Sequence, residues 1–331
     1  MASKTNVSWA DSSSNAILGC SRISEGCKNC FAAVDTPARV LRHRGIETWG
    51  DSGQRVPVKG FEKSMLAMNR KPEICDHCGT PSSVDDVMSN TVSCQNRDCP
   101  ANLSEQVQSS FHTRRIFCDS NSDWLDDKWP IETLAHFLDV LRRCSDVTLI
   151  NCTKRPENFE PRFTAVMKWL ENKTPAKKDD TFWNWLMDWH DGKPPSNIIQ
   201  LTSIENQAML EKRYRDSVAI PAACRGFSFE PLLSEIIVPD WTGISWAIIG
   251  GESGSNARPC NVDWIRSLVE QGKAAGAATF VKQFGANPVS VYKPSDEKDY
   301  CTITMNHRDK KGGDIAEFPK DLQVREWPKG F

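Results

Sequence analysis

The stretch Val147-Thr148-Leu149-Ile150-Asn151-Cys152-Thr153-Lys154 is rich in β-branched residues and stops at a charge, and a helical pattern follows it. Such a run reads as a strand. The same design recurs at Arg115-Ile116-Phe117-Cys118-Asp119-Ser120, Ile198-Ile199-Gln200-Leu201-Thr202-Ser203, Gly226-Phe227-Ser228-Phe229-Glu230, Trp246-Ala247-Ile248-Ile249-Gly250-Gly251-Glu252 and Ala278-Thr279-Phe280-Val281-Lys282-Gln283. Ala16-Ile17-Leu18 reads as a seventh strand. Between the runs lie helices with apolar spacing of three and four. Ile131, Leu134, Phe137, Leu138 and Leu141 share one face; Trp264, Ile265, Leu268 and Val269 share another, with Asn261 as cap and Gly276 as stop. Strand and helix in alternation predict an α/β fold with a parallel sheet, a full or partial (β/α) barrel. An open doubly wound sheet is the alternative.

Upstream, Gly19-Cys20-Ser21-Arg22-Ile23-Ser24-Glu25-Gly26-Cys27-Lys28-Asn29-Cys30-Phe31 places three thiols close together. Cys20, Cys27 and Cys30 could hold three corners of an iron–sulfur cluster and leave the fourth iron open; a zinc site completed from elsewhere is the competing reading. Thr36-Pro37, followed by Ala38 through Arg44 and then Gly45, predicts a short helix directly after the loop, with its cap at the start.

A second group, Cys75-x2-Cys78 and Cys94-x4-Cys99, has the spacing of a structural zinc ribbon, in which a metal replaces a core too small to form alone. These two groups divide the chain into 1–70, the first part of the barrel with the three-cysteine loop; 71–104, the zinc-ribbon insertion; 105–290, the main barrel; and 291–331, a C-terminal extension. A further insert, 172–197, carries Phe182, Trp183, Trp185, Leu186 and Trp189. That spacing reads first as a buried helix face, with a lid over the barrel mouth or a base-stacking platform as alternatives.

With 331 residues, 39% hydrophobic and 25% charged, the chain is long enough for a sizeable core. A net charge of −2 provides no global footprint for nucleic acid. No export signal or run of membrane-spanning length is present, so the expectation is a cytoplasmic protein with no membrane partner, whose thirteen cysteines are kept reduced.

In a parallel barrel, chemistry collects at the C-terminal strand ends. Here those ends offer Asp119, Ser120 and Asp123; Lys154; Ser203 and Glu205; Glu230; Gly250, Gly251, Glu252 and Ser253; and Lys282. Arg258 follows with a planar fork suited to carboxylate or phosphate. Glu205, Glu230 and Glu252 are candidate acid–base carboxylates. The common hydrolase and phosphate-loop motifs are absent.

The cysteine loop, Thr153-Lys154-Arg155-Pro156-Glu157, Ser203-Ile204-Glu205-Asn206-Gln207, Phe229-Glu230-Pro231-Leu232-Leu233, Ile249-Gly250-Gly251-Glu252-Ser253-Gly254, Ala257-Arg258-Pro259, Phe280-Val281-Lys282-Gln283-Phe284-Gly285 and the tail from Lys311 to Glu326 together resemble a phage-associated family of three-cysteine-motif proteins of unknown function. That family is similar to radical S-adenosylmethionine enzymes. The resemblance implies a barrel of radical-SAM type and a [4Fe–4S] cluster on Cys20, Cys27 and Cys30 that chelates S-adenosyl-L-methionine and, on reduction, releases a 5′-deoxyadenosyl radical. From the strand-end reading, catalytic roles are expected for Lys154, Glu205, Glu230 and Lys282, and cofactor binding for Ser120, Asp123, Ser203, Gly250, Gly251, Glu252, Ser253 and Arg258. Zn2+ is expected on Cys75, Cys78, Cys94 and Cys99. DNA or a nucleobase is the expected substrate, and a protein encoded nearby an expected partner. The rival readings are a non-catalytic zinc-dependent nucleic-acid-binding protein and a barrel hydrolase using Glu205, Glu230 or Glu252.

Overall fold

The computed structural model describes residues 3–5, 7–70, 73–76, 78–80, 96, 98–99, 111–173, 181–292, 301–305 and 307–331. Seven parallel strands build one curled, half-barrel sheet: β1 Ser12–Ser14, β2 Arg115–Cys118, β3 Thr148–Thr153, β4 Ile198–Ser203, β5 Cys224–Phe229, β6 Trp246–Gly250 and β7 Ala278–Gln283. The two-residue strand Ser3–Lys4 adds antiparallel to β1. Each strand lies beside the one before it in the chain. A doubly wound sheet reverses its strand order at a switch point. No reversal occurs here, so the doubly wound alternative is excluded, and the sheet is a partial barrel rather than a closed one.

Among the described residues, the helices are α1 Thr36–His43, α2 Phe61–Asn69, α3 Ile131–Arg143, α4 Phe159–Lys173, α5 Thr181–His190, α6 Gln207–Ala219 and α7 Val262–Ala274. Side chains alternate between the two faces of a strand. On β2 and β3, Ile116 and Leu149 face outward into a core with Leu134, Phe137, Leu138 and Phe163 of α3 and α4. Ile150, Ile199, Leu201, Trp246, Ile248 and Phe280 face inward, around Trp9. With both faces covered, β2 to β7 each place apolar residues on both sides, as parallel strands do.

Two expectations change, and the aromatic insert takes its first reading, a buried helix face. The seventh parallel strand is Ser12–Ser14, whereas Ile17–Leu18 forms a separate hairpin with Val56–Pro57. A strand made wholly of serine carries no hydrophobic signal; its pairing with Ile116–Cys118 comes from its backbone. The aromatic insert is neither lid nor stacking platform in its described part: in α5, Phe182, Leu186 and Trp189 enter the outer core, and the Trp189 ring lies 5.2 Å from Phe163 and 6.3 Å from Trp124. Helix α1 is capped by Asp35, whose carboxylate accepts from Thr36 N at 2.7 Å.

The C-terminal extension covers the β7 edge that a parallel sheet would otherwise leave unpaired. Val281 N donates to Val324 O and Glu326 N to Thr279 O. The tail then crosses to the other side of the sheet, where Arg115 lies 4.5 Å over the Trp327 ring and donates to Phe331 O.

Candidate functional site

The polar C-terminal strand ends converge on a cavity of about 210 Å3. Its wall includes all three loop cysteines, Cys20, Cys27 and Cys30, together with Ser120, Asp123, Lys154, Ser203, Glu230, Gly251, Glu252, Ser253 and Lys282. Thus most of the rim residues expected from the sequence do meet. Gly250, Glu205 and Arg258 do not line it.

The cysteine loop is held from three sides. Gly19, at φ +122°, lets the chain turn sharply, and a Cβ there would sit 2.3 Å from Gln54 O. Cys20 N then donates to Thr48 O, and Gly50 N to Cys20 O. Beneath Cys20 lies a buried, charge-balanced network. Arg155 Nη1 donates to Asp123 Oδ2 at 2.9 Å and approaches Cys20 Sγ at 3.7 Å, while its Nη2 donates to Ser21 O. Arg55 pairs with Asp126 at 2.7 Å and donates to Ser21 Oγ. Asp123 also accepts from Thr153 Oγ1, Lys154 N and Leu125 N. Asp123 therefore joins the β3 end to Arg155 with every lone pair committed, which makes it a scaffold for the loop.

Glu205 supports the loop from below. It is fully buried, and Arg213 Nη1 donates to its Oε2 at 2.7 Å. A Cβ on Gly26 would lie 3.1 Å from its Cδ, so a larger residue there would press on the Glu205 side chain. Burial pushes the acidity of Glu205 down, but Arg213 and Lys154 outweigh it and hold the carboxyl below its usual range. Glu205, expected to be catalytic, is paired with Arg213 outside the cavity wall.

The third anchor is Glu252. Arg258 grips it with Nη2 to Oε1 at 2.6 Å and Nε to Oε2 at 3.0 Å, and Asn29 Nδ2, between Cys27 and Cys30, donates to Oε2 at 3.0 Å. Arg258 Nη1 donates to Glu25 O. The glutamate of the Gly-Gly-Glu run thus ties the loop to the sheet, and Arg258 serves that tie rather than the cavity. Gly251 permits the approach of Phe284, whose carbonyl oxygen would lie 2.2 Å from a Cβ.

Inside the cavity, Lys282 Nζ pairs with Glu230 Oε1 at 2.5 Å, and Ser228 donates to Glu230 Oε2. A Cβ on Gly250 would press on Glu230 Oε1 at 3.1 Å. Burial disfavours the Lys154 ammonium, but Cys152, Cys27, Glu205 and Cys30 around it raise its pKa overall. Cys152 Sγ lies 3.4 Å from Ser203 Oγ on the next strand. In the thiol form, burial pushes Cys20 up to about 12 and raises Cys30 as well. Cations beside these sulfurs, Arg155 and Lys154, offset part of that penalty.

Sequence reading passed over Trp9, Trp49, Asn29 and Asn121, which also shape this site. Asn121 lies in the polar run Asp119–Asp123 and could have been included; Trp9 and Trp49 arrive from distant loops with no local signal.

The second cysteine group lies apart from the cavity. Cys75, Cys78 and Cys99 bring their sulfurs within 4.8 Å of one another and could hold a metal ion. Cys75 and Cys99, both buried, are 3.8 Å apart, the spacing of two thiolates about 2.3 Å from one tetrahedral ion. Cys94 lies outside the described residues. His112 bridges this knuckle to the main sheet through Asp76 at 2.6 Å and Asp11 at 3.0 Å. Among the described residues, no helix is long and apolar enough to cross a membrane.

Fold and site together define a parallel half-barrel α/β protein with three cysteines at the C-terminal rim of its sheet. The chain belongs to the family described as "Protein of unknown function (DUF5131)", whose model matches residues 4–314. No curated protein and no solved structure matches it.

Proposed function

We propose that this protein is an iron–sulfur enzyme of radical S-adenosylmethionine type acting on a nucleobase, free or within DNA. The observation that carries the reading is the common cavity of Cys20, Cys27 and Cys30 with the polar strand ends. Three thiols on one rim can hold three corners of a [4Fe–4S] cluster and leave its fourth iron open. When bound, such a cluster supplies an open iron for the amino and carboxylate groups of S-adenosyl-L-methionine and an electron that cleaves its sulfonium.

The chain's own residues do the rest. Arg155, Asn29 and the Glu205 strut hold the loop, and Lys154 places a positive charge beside Cys27 and Cys30. The Glu230–Lys282 pair, Ser203 and Ser228 offer hydrogen bonds on the facing wall, and Ser120, Ser253 and Gly251 complete the rim. Zn2+ on Cys75, Cys78 and Cys99, with Cys94 as the fourth ligand, is proposed as structural.

Anaerobically reconstituted protein is expected to bind about four iron atoms per chain at the rim. It should cleave S-adenosyl-L-methionine reductively, and both properties should vanish on replacing Cys20, Cys27 and Cys30 by alanine. Zinc alone at both cysteine groups, with no such cleavage, would refute the reading and favour a zinc-dependent nucleic-acid-binding protein.

A further inference from the structure

The outer side of the three-cysteine loop, together with the helix α1 that follows it, exposes apolar side chains to solvent. Single exposed hydrophobic residues are ordinary, whereas several close together mark an interaction site. Among the described residues six large hydrophobic side chains are exposed, and four of them, Ile23, Phe31, Val34 and Val40, fall between positions 23 and 40. Along a helix, positions i, i+3, i+4 and i+7 share a face. On α1 these are Thr36, Arg39, Val40 and His43, all exposed, while Ala38 is buried on the opposite side.

Positive charge concentrates in the same place. Residues 20–47 contain five Lys or Arg against three Asp or Glu, a net +2 in a chain that totals −2. Two of those acids are already engaged, Glu47 with Arg42 at 2.9 Å and Asp35 in capping Thr36 N. Arg22, Lys28, Arg39 and Arg44 are exposed and make no ion pair among the described residues. The helix is anchored to the cavity mouth: Arg42 Nη2 donates to Ala33 O, next to Ala32 and Phe31, which line the cavity. With 8 residues, α1 extends only about 12 Å from that point. Phe31 belongs to both surfaces, since it is 52% exposed and also lines the cavity.

We infer that this face docks single-stranded nucleic acid, with Arg22, Lys28, Arg39 and Arg44 meeting phosphates, Phe31 stacking on a base at the rim, and a flanking base entering the cavity. Basic side chains beside an exposed aromatic ring are the means by which single strands are held, because every base has a stacking face and every link a charge. An unpaired strand also delivers its base without the cost of opening a duplex. An acidic protein would satisfy the cations but has no use for an aromatic ring set at the cavity mouth. The inference deepens the nucleobase reading, placing the base within a strand, and rests on that reading for the class of partner.

The test is fluorescence anisotropy of a labelled single-stranded oligodeoxynucleotide titrated with the full-length protein, purified anaerobically with its metals. The duplex of the same sequence is the comparison, and polyglutamate, which has charge but no bases, is the competitor. The single strand is expected to bind at least about tenfold more tightly than the duplex, and polyglutamate should not displace it. Its affinity should fall with salt at a log–log slope of about −3, as four phosphate contacts require. Arg39→Gln combined with Arg44→Gln should halve that slope and weaken binding about tenfold or more at about 0.1 M salt. Lys193→Gln, five residues before the start of β4 and at the end of the sheet away from the cavity, should change neither. Phe31→Ala should weaken the single strand about fivefold or more with the slope unchanged, and Phe31→Trp should retain binding. No binding of the single strand, equal binding of the duplex, or full affinity in the Arg39/Arg44 and Phe31→Ala variants would overturn the inference. Displacement by polyglutamate would overturn it in favour of an acidic protein partner. Iron content and reductive cleavage of S-adenosyl-L-methionine in the same samples report separately on the cluster, so failure of one reading is distinct from failure of the other.

Discussion

Arg258 and Glu252 form a two-pronged ion pair whose other contacts reach into the cysteine loop, through Asn29 Nδ2 on the carboxylate and Glu25 O on the guanidinium. A late strand and an early loop, more than two hundred residues apart, are thereby joined at the cavity rim. Arg258→Ala should loosen the loop while costing only about 1 kcal/mol of global stability, because the guanidinium is 24% exposed and partly screened. The expected outcome is several-fold faster loss of iron to a chelator, with the melting temperature lowered by a few degrees at most. Burial raises the Glu252 pKa, but the Arg258 contacts win and hold it below 4.5. The tie is therefore complete above pH 4.5 and is lost as pH falls through the lower folded value, so iron retention should drop only in that acid range.

The Asp123–Arg155 pair should behave differently, since both side chains are almost fully buried. Arg155→Met leaves Asp123 and Asp126 with one cation fewer, a change of about 3–5 kcal/mol. Thermal unfolding should shift down by roughly 10 °C. A surface pair such as Lys193–Asp188, with side chains 77% and 58% exposed, provides the control, and its removal should shift the midpoint by a degree or less.

Cys75 and Cys99 make a small hydrophobic cluster of their own, with Cys78 and Phe111, separate from the main cores. Cys75→Ser and Cys99→Ser should each remove one zinc per chain while far-UV circular dichroism and the main melting transition stay nearly unchanged. Faster amide exchange limited to the knuckle would accompany the loss. A collapse of the whole fold would contradict a structural role restricted to that segment.

Asp119 makes stability depend on pH. Burial lifts its folded pKa to about 8, above the ordinary 3.8, so between those limits the folded state binds more protons than the unfolded one. Stability from this group is fully present below pH 3.8 and declines as pH rises towards 8. Asp119→Asn cannot ionise. Its melting temperature relative to wild type should climb by several degrees between about pH 5 and pH 8, measured by scanning calorimetry. A constant difference across that range would show that the carboxyl titrates normally.

The alternation of β-branched runs with amphipathic helices determined an α/β fold and six of the seven parallel strands, because burial on both faces of a sheet leaves a continuous apolar signal. Cysteine spacing likewise marked both thiol groups. Ser12–Ser14 could not be read, since three serines carry no pattern and only pairing with β2 makes them a strand. Tertiary structure alone decided which rim residues face the cavity: Glu205 and Arg258 are committed to ion pairs outside its wall, whereas Asp119, Trp9 and Trp49 line it. Residue type specifies what a side chain can bind. What it does bind depends on neighbours supplied by distant parts of the chain, and those meet only when the sheet curls.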